Sequence, residues 1–334
     1  MKAFIKDIAY YLPQKVVTNE EIVKEFPEWS VEKIADKVGV NKRHVASLDE
    51  TASDMAIKAA EILFQKDIVS KKDVDFVLLC TQSPDYFLPS SSCIIQNKLG
   101  LRTDIGAFDF NLGCSGYVYG LSIAKGLVVS GVATNVLLLT AETYNKHIHP
   151  KDKGNRTIFG DAATATIVSD EGFAEIGNFQ LGTNGDGAGN LIVKTGGLRN
   201  PEKADDLRFD EKNGTPISSD YLFMDGGEIY VFTLMNVPKL IKKTLVKNGI
   251  EKDQVGLYVF HQANKYMLDV LKKTCKIEDS KFFYYLSDVG NTVSNSIPIA
   301  LVEAMRNKSI VEGMNVVLAG FGVGYSWGGN VLKF

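Results

Sequence analysis

Asn135-Val-Leu-Leu-Leu-Thr-Ala-Glu-Thr-Tyr144 reads as a buried strand running into a turn, and Asn315-Val-Val-Leu-Ala-Gly-Phe-Gly-Val-Gly324 repeats its pattern. Two more pairs follow in the same order at nearly the same offset. Val74-Asp-Phe-Val-Leu-Leu-Cys-Thr81 matches Val255-Gly-Leu-Tyr-Val-Phe-His261, and Phe108-Asp-Phe-Asn-Leu-Gly-Cys114 matches Tyr285-Leu-Ser-Asp-Val-Gly-Asn291. Three ordered matches argue for a duplicated unit. The runs are rich in Val, Leu and Phe, as strands buried on both faces are. Helical patterns lie between them. Thr51 to Gln65 places Ala52, Met55, Ala56, Ala59, Ile62 and Leu63 on one face, with Thr51 as N-cap. Leu234 to Lys247 places Val237, Leu240, Ile241 and Leu245 inward and Lys239, Lys242 and Lys243 outward. Alternating strands and helices predict a layered α/β protein with halves 1–175 and 176–334. The second half opens with an excursion over 182–227, rich in Gly and charge, of the kind that walls a site.

The 334 residues are 45% hydrophobic and 10% aromatic, enough for a large core. A balance of 37 Lys+Arg against 40 Asp+Glu leaves no basic footprint for nucleic acid or an anionic membrane. No apolar run reaches membrane-spanning length, and Asp7 interrupts any signal-like stretch, so the reading is a cytoplasmic globular protein. Four cysteines make neither a disulfide framework nor a CxxC site, and Cys80, Cys93 and Cys275 read as small buried hydrophobes. His147 and His149 form an HxH with no third ligand in view, so no metal site is expected.

Cys114 follows a strand predicted over Ile105 to Asn111 and opens Ser115 to Val129, a segment apolar almost all round. A thiol at a helix N-terminus meets unpaired N–H groups, which favour thiolate. The same residue would also fit a tight strand-to-helix turn without chemistry. His261 ends the strand Leu257-Tyr-Val-Phe260, where α/β sites collect. By the repeat, Asn291 holds in the second half the place of Cys114 in the first, heading a helix with Pro298 in its second turn. Taken alone, His261 reads as a semi-buried histidine and Asn291 as an N-cap. Their combination is what points to a site. Phe321-Gly-Val-Gly-Tyr-Ser-Trp-Gly-Gly329 lacks the crossover helix and acidic residue of a dinucleotide loop, so its glycines read as room for close backbone approach.

Phe108-Asp-Phe-Asn-Leu-Gly-Cys-Ser-Gly116, Phe159-Gly-Asp161, His261-Gln-Ala-Asn264, Gly290-Asn-Thr292 and Phe321-Gly-Val-Gly-Tyr-Ser-Trp-Gly328 together resemble β-ketoacyl–acyl carrier protein synthase III over essentially the whole chain. The resemblance implies the thiolase fold, a five-layered α/β/α/β/α sandwich of two duplicated halves, in a homodimer. It implies that Cys114 accepts an acyl group from acyl-CoA. His261 and Asn291 then hold malonyl–acyl carrier protein during decarboxylative condensation, with the backbone N–H groups of Cys114 and Val323 as oxyanion donors. Acyl-CoA enters as substrate, and no cofactor or metal is implied. Lys37, Arg43 and Arg156 are the implied CoA contacts. Lys265, Lys272 and Lys273 are the implied docking face for the acidic carrier, and Leu88 is the implied gate of the partner's acyl pocket.

The sequence also departs from the family pattern. Lysines occupy the places of an aromatic and an Arg in Lys33-Ile-Ala-Asp-Lys-Val-Gly-Val40. Phe159-Gly-Asp is followed by Ala162-Ala-Thr164, and Gly-Asn-Thr by Val293-Ser-Asn-Ser296 rather than small alanines. Such changes suggest a specialised relative. Two alternatives stay open: a thiolase-fold acyltransferase with a non-malonyl acceptor, and a Cys-His-Asn hydrolase. The papain-type flank is absent around Cys114, and a retained Cys114, His261 and Asn291 set argues against a non-catalytic scaffold.

Overall fold

In the computed structural model of the chain, which describes residues 1–211 and 214–334, the repeated segments take matching places. Asn135–Glu142 and Asn315–Gly322 are eight-residue strands. Phe76–Cys80 runs parallel to the first and Val255–Phe260 parallel to the second. Ala162–Ser169 and Ser326–Lys333 flank them antiparallel. The third pair diverges: Gly106–Phe110 is an edge strand, whereas its counterpart at 285–291 forms no strand and pairs through a bridge between Asn291 and Phe159. The strand Ala174–Ile176 pairs with Phe4–Tyr11 of the first half and with Ser326–Lys333 of the second. The half-sheets are thereby joined into one ten-stranded sheet. The expected boundary at 175/176 falls within that joining strand.

Helices sort into three layers around the two half-sheets. Ala52–Phe64 covers the outer face of the first, and its Met55, Ala59 and Leu63 share a core with Leu137 and Ile167. Gly116–Val129 and Ser296–Arg306 lie between the half-sheets, in a core with Leu138 and Leu318. Gly226–Asn248 and Lys265–Thr274 cover the second half-sheet. This is the five-layered α/β/α/β/α arrangement of the thiolase fold. The middle helix is apolar all round because sheets bury it on both sides. It comes so close that a Cβ on Gly116 would clash with Cys80 Sγ.

Local chemistry explains the element ends. Thr51 caps its helix in a reciprocal box, accepting from the Asp54 N–H while Asp54 accepts from its own. The excursion expected to run to 227 ends sooner, because Asp225 caps a helix at Gly226 by accepting from the Glu228 N–H at 3.0 Å. That helix therefore starts two turns before the expected Leu234. Ile62 and Cys93, both expected inside, are exposed. Asn291 is not an N-cap: a 3-10 turn over Val293–Asn295 intervenes, and Pro298 is the third residue of Ser296–Arg306. Among the described residues, no helix is long and apolar enough to cross a membrane.

Candidate active site

Cys114, His261 and Asn291 come from three chain segments and line one cavity of about 90 Å³ with Tyr144, Phe321 and Val323. Cys114 sits just before the Gly116–Val129 helix, after the Gly106–Phe110 strand. The glycine-rich segment closes over it. A Cβ on Gly322 would lie 2.9 Å from Cys114 Cβ and 3.0 Å from Sγ, so only glycine allows this approach. Backbone N–H groups of Cys114 and Val323 both act on the sulfur and favour its charged form. They are outweighed. Burial first, and the Glu142 carboxyl second, push the thiol up to about 12. The thiolate expected from helix-terminus position alone is therefore not the resting state at neutral pH.

His261 is buried, and its backbone N–H donates to Ala319 O at 2.8 Å. Its ring meets Phe321 edge-on, with centroids 5.7 Å apart. Nδ1 lies 2.7 Å from Ser296 Oγ. Burial holds the imidazole down at about 3, so it stays neutral. The tautomer that presents Nε2–H to the cavity is the one in which the Ser296 hydroxyl donates to Nδ1. Asn291 is held by its backbone, whose N–H donates to Ile158 O at 2.8 Å and whose carbonyl accepts from the Gly160 N–H at 3.0 Å. Its Oδ1 accepts from the Val293 N–H at 2.9 Å. The Phe159-Gly-Asp161 motif is thus the brace beneath Asn291. Buried Asp161 ties it to the first half by accepting from the Ala46 and Asn145 N–H groups.

The peripheral residues sort differently. Arg43 is fully buried rather than open to a nucleotide. Its guanidinium donates to Val17 O, Asn19 Oδ1 and Thr157 O, which makes it an interior strut and corrects its expected role as a CoA contact. Lys37 is exposed on the Val31–Val38 helix. Arg156 pairs with Glu25 and stacks over Phe26. Lys265 pairs with Asp269 at 2.7 Å and Lys272 with Asp279 at 2.6 Å, while Lys273 is exposed. Leu88 is exposed beside Tyr86 and Phe87. Sequence reasoning missed Glu142, and it marked Val293 and Ser296 only as departures from the family pattern, without a role. Glu142 left a signal of its own, as a charge ending an otherwise apolar strand. Trp29 stands one turn before Lys33, whose ammonium lies 5.5 Å from its ring centre.

A thiol, a neutral imidazole and a side-chain amide gathered between duplicated halves define a thiolase-fold acyltransferase. The family model described as 3-oxoacyl-[acyl-carrier-protein] synthase III matches residues 108–185, and the model of its C-terminal part matches residues 245–334. A β-ketoacyl-[acyl-carrier-protein] synthase III of Clostridium perfringens is 35% identical over 324 residues, covering 97% of this chain and 96% of its own. A crystal structure of a 3-oxoacyl-(acyl-carrier-protein) synthase III superposes with a TM-score of 0.97 at 46% identity, each chain fully covered. A 3-oxoacyl-(acyl-carrier protein) synthase from Burkholderia xenovorans gives 0.90 at 35%, covering 99% of this chain and 94% of its own. The chain belongs to the 3-oxoacyl-[acyl-carrier-protein] synthase III family.

Proposed function

We propose that the protein joins an acyl group to a malonyl unit in two half-reactions at one cavity. The observation that carries this reading is the convergence of Cys114, neutral His261 and Asn291 on that cavity. In the first step Cys114 sulfur attacks the thioester carbonyl of acyl-CoA. The sulfur–carbon bond to CoA breaks, and the thiol proton leaves with the CoA sulfur. In the second, malonyl–acyl carrier protein loses CO₂. The enolate oxygen is held by His261 Nε2–H and the Asn291 amide, and its carbon attacks acyl-Cys114. Oxygen charge developing on that carbonyl faces the N–H groups of Cys114 and Val323, and collapse returns the Cys114 thiolate. Every step runs on these groups, with acyl-CoA as substrate and neither a metal nor a redox group called upon.

His261→Ala and Asn291→Ala should still take an acyl group on Cys114, read by intact mass. Condensation should fall by roughly a hundredfold or more, as loss of an oxyanion donor does. Equal loss of both half-reactions would refute the division of labour. A working homodimer is supported by Tyr86, Phe87 and Leu88, which are 63%, 76% and 82% exposed on consecutive positions of one chain and suit cover by a second copy. Leu88 at the partner's acyl pocket leaves more room than an aromatic ring and favours primers longer than acetyl. Leu88→Phe should shift the chain-length profile toward shorter primers, and an unchanged profile would remove Leu88 as the gate. A cytoplasmic setting fits substrates carried on CoA and a carrier protein.

A further inference from the structure

Val293 is a fully buried, β-branched residue with a φ of +56°. Such residues rarely adopt this left-handed backbone, which persists only where the surroundings impose it. The Val293 backbone meets the site on both sides. Its N–H donates to Asn291 Oδ1 at 2.9 Å, which leaves the Asn291 Nδ2 amide for the cavity that the residue lines. Its carbonyl lies 3.0 Å from Ser296 Oγ, and that same oxygen lies 2.7 Å from His261 Nδ1, to which the Nε2–H tautomer commits the single hydroxyl proton. One residue is therefore tied to the aim of both donors. The N–H belongs to the preceding peptide plane and stays on Asn291 whatever this φ is, whereas an ordinary φ near −65° would redirect the chain that follows and carry Ser296 away from His261.

The surroundings hold this turn from both ends. Upstream, the Asn291 backbone is bonded to Ile158 and Gly160. Downstream, Asn295 Nδ2 donates to Ala162 O and Thr292 O at 3.0 Å, while its Oδ1 accepts from Thr140 Oγ1 at 2.6 Å. Ser294 Oγ lies 3.4 Å from Glu142 Oε1. Ser294 and Asn295 stand where the family pattern has small alanines, and both fasten the turn to the first half. Two of the departures that suggest a specialised relative in the sequence are anchors in the structure.

We infer that the Val293 backbone is a positioning device for decarboxylation: its N–H aims Asn291, and its left-handed φ turns the chain so that the Ser296 hydroxyl reaches His261 Nδ1. The inference rests on the reading of those two residues as enolate donors. It assigns the work to the backbone of Val293, not to its side chain. Val293→Gly and Val293→Asn enter the left-handed region readily and should keep malonyl-thioester decarboxylation within about tenfold. Val293→Pro fixes φ near −65° and removes the N–H. Its decarboxylation should fall by roughly a hundredfold to a thousandfold, while acylation of Cys114 by acyl-CoA stays near the parent rate. If Val293→Pro does not fold, incorporating α-hydroxyvaline at 293 exchanges the N–H for an ester oxygen alone, and the same selective loss is expected. A Val293→Gly protein as impaired as Val293→Pro, or an ester protein with full decarboxylation, overturns the inference. Asn291→Asp separates it from the reading beneath it, since aspartate still accepts from the Val293 N–H but offers no amide donor. Full decarboxylation by that variant would overturn the role of Asn291 itself.

Discussion

Cys114 must lose a proton before it can keep an acyl group, and Glu142 opposes that loss. The Glu142 carboxyl is buried and accepts from the Gln82 N–H at 3.0 and 3.1 Å and from the Ser83 hydroxyl. Burial pushes it up to about 8, so it becomes charged only in mildly alkaline solution, where its charge then resists thiolate formation. Glu142→Gln should move the pH midpoint of Cys114 alkylation downward, with peptide mapping to separate it from exposed Cys93. An unmoved midpoint would show that Glu142 leaves the thiol alone. Stability carries the same signature. A carboxyl raised in the folded state stabilises fully below its unfolded value of 4.5, and that contribution fades as pH rises through about 8. In the glutamine variant, the fall in Tm across that window should be smaller. The sequence made Cys114, His261 and Asn291 legible as a set because the repeat aligned them. It hid the thiol's protonation, because Glu142 reaches Cys114 only through tertiary packing. It hid Arg43 as well, since a cation in a basic stretch reads as surface until Asn19 and two carbonyls close around it.

The Lys265–Thr274 helix shows how far spacing carries at the scale of an element. Met267, Leu268 and Leu271 face the core as their period requires, and Asn264 caps the start by accepting from the Met267 N–H at 2.9 Å. The outward lysines are not equivalent. Lys265 and Lys272 already have acidic partners, and Lys272 also lies over the Tyr284 ring. Lys273 has no ion-pair partner among the described residues, so it offers the freest charge to an acidic carrier. Lys273→Glu should raise KM for malonyl carrier more than Lys265→Glu does, and the difference should shrink in high salt. Equal KM values at low salt would exclude this face from docking. Propensity and capping made this helix and Ala52–Phe64 readable. The Val293 turn was not, because a left-handed valine is chosen by its neighbours and has no signature of its own.

At the scale of the whole molecule, the duplication was legible because apolar strands repeat in order. What joins the halves was not, since a three-residue strand has too few positions for a pattern. Ala174–Ile176 bonds to both half-sheets, and the helices between them share one core. Covalent continuity is then a minor part of what keeps the halves together. The excursion carries an exposed tip at Leu198, which is 90% exposed, followed by exposed Arg199 and Asn200. Cleavage at a protease site inserted there should leave fragments that co-elute and still acylate Cys114. Fragments that separate on size exclusion would show that the linkage itself is needed. Because one short strand stitches the two half-sheets edge to edge and one core fills the space between them, the halves should hold together as a pair of subunits that happen to share a polypeptide. A gene broken at Leu198 would then express a working two-chain enzyme.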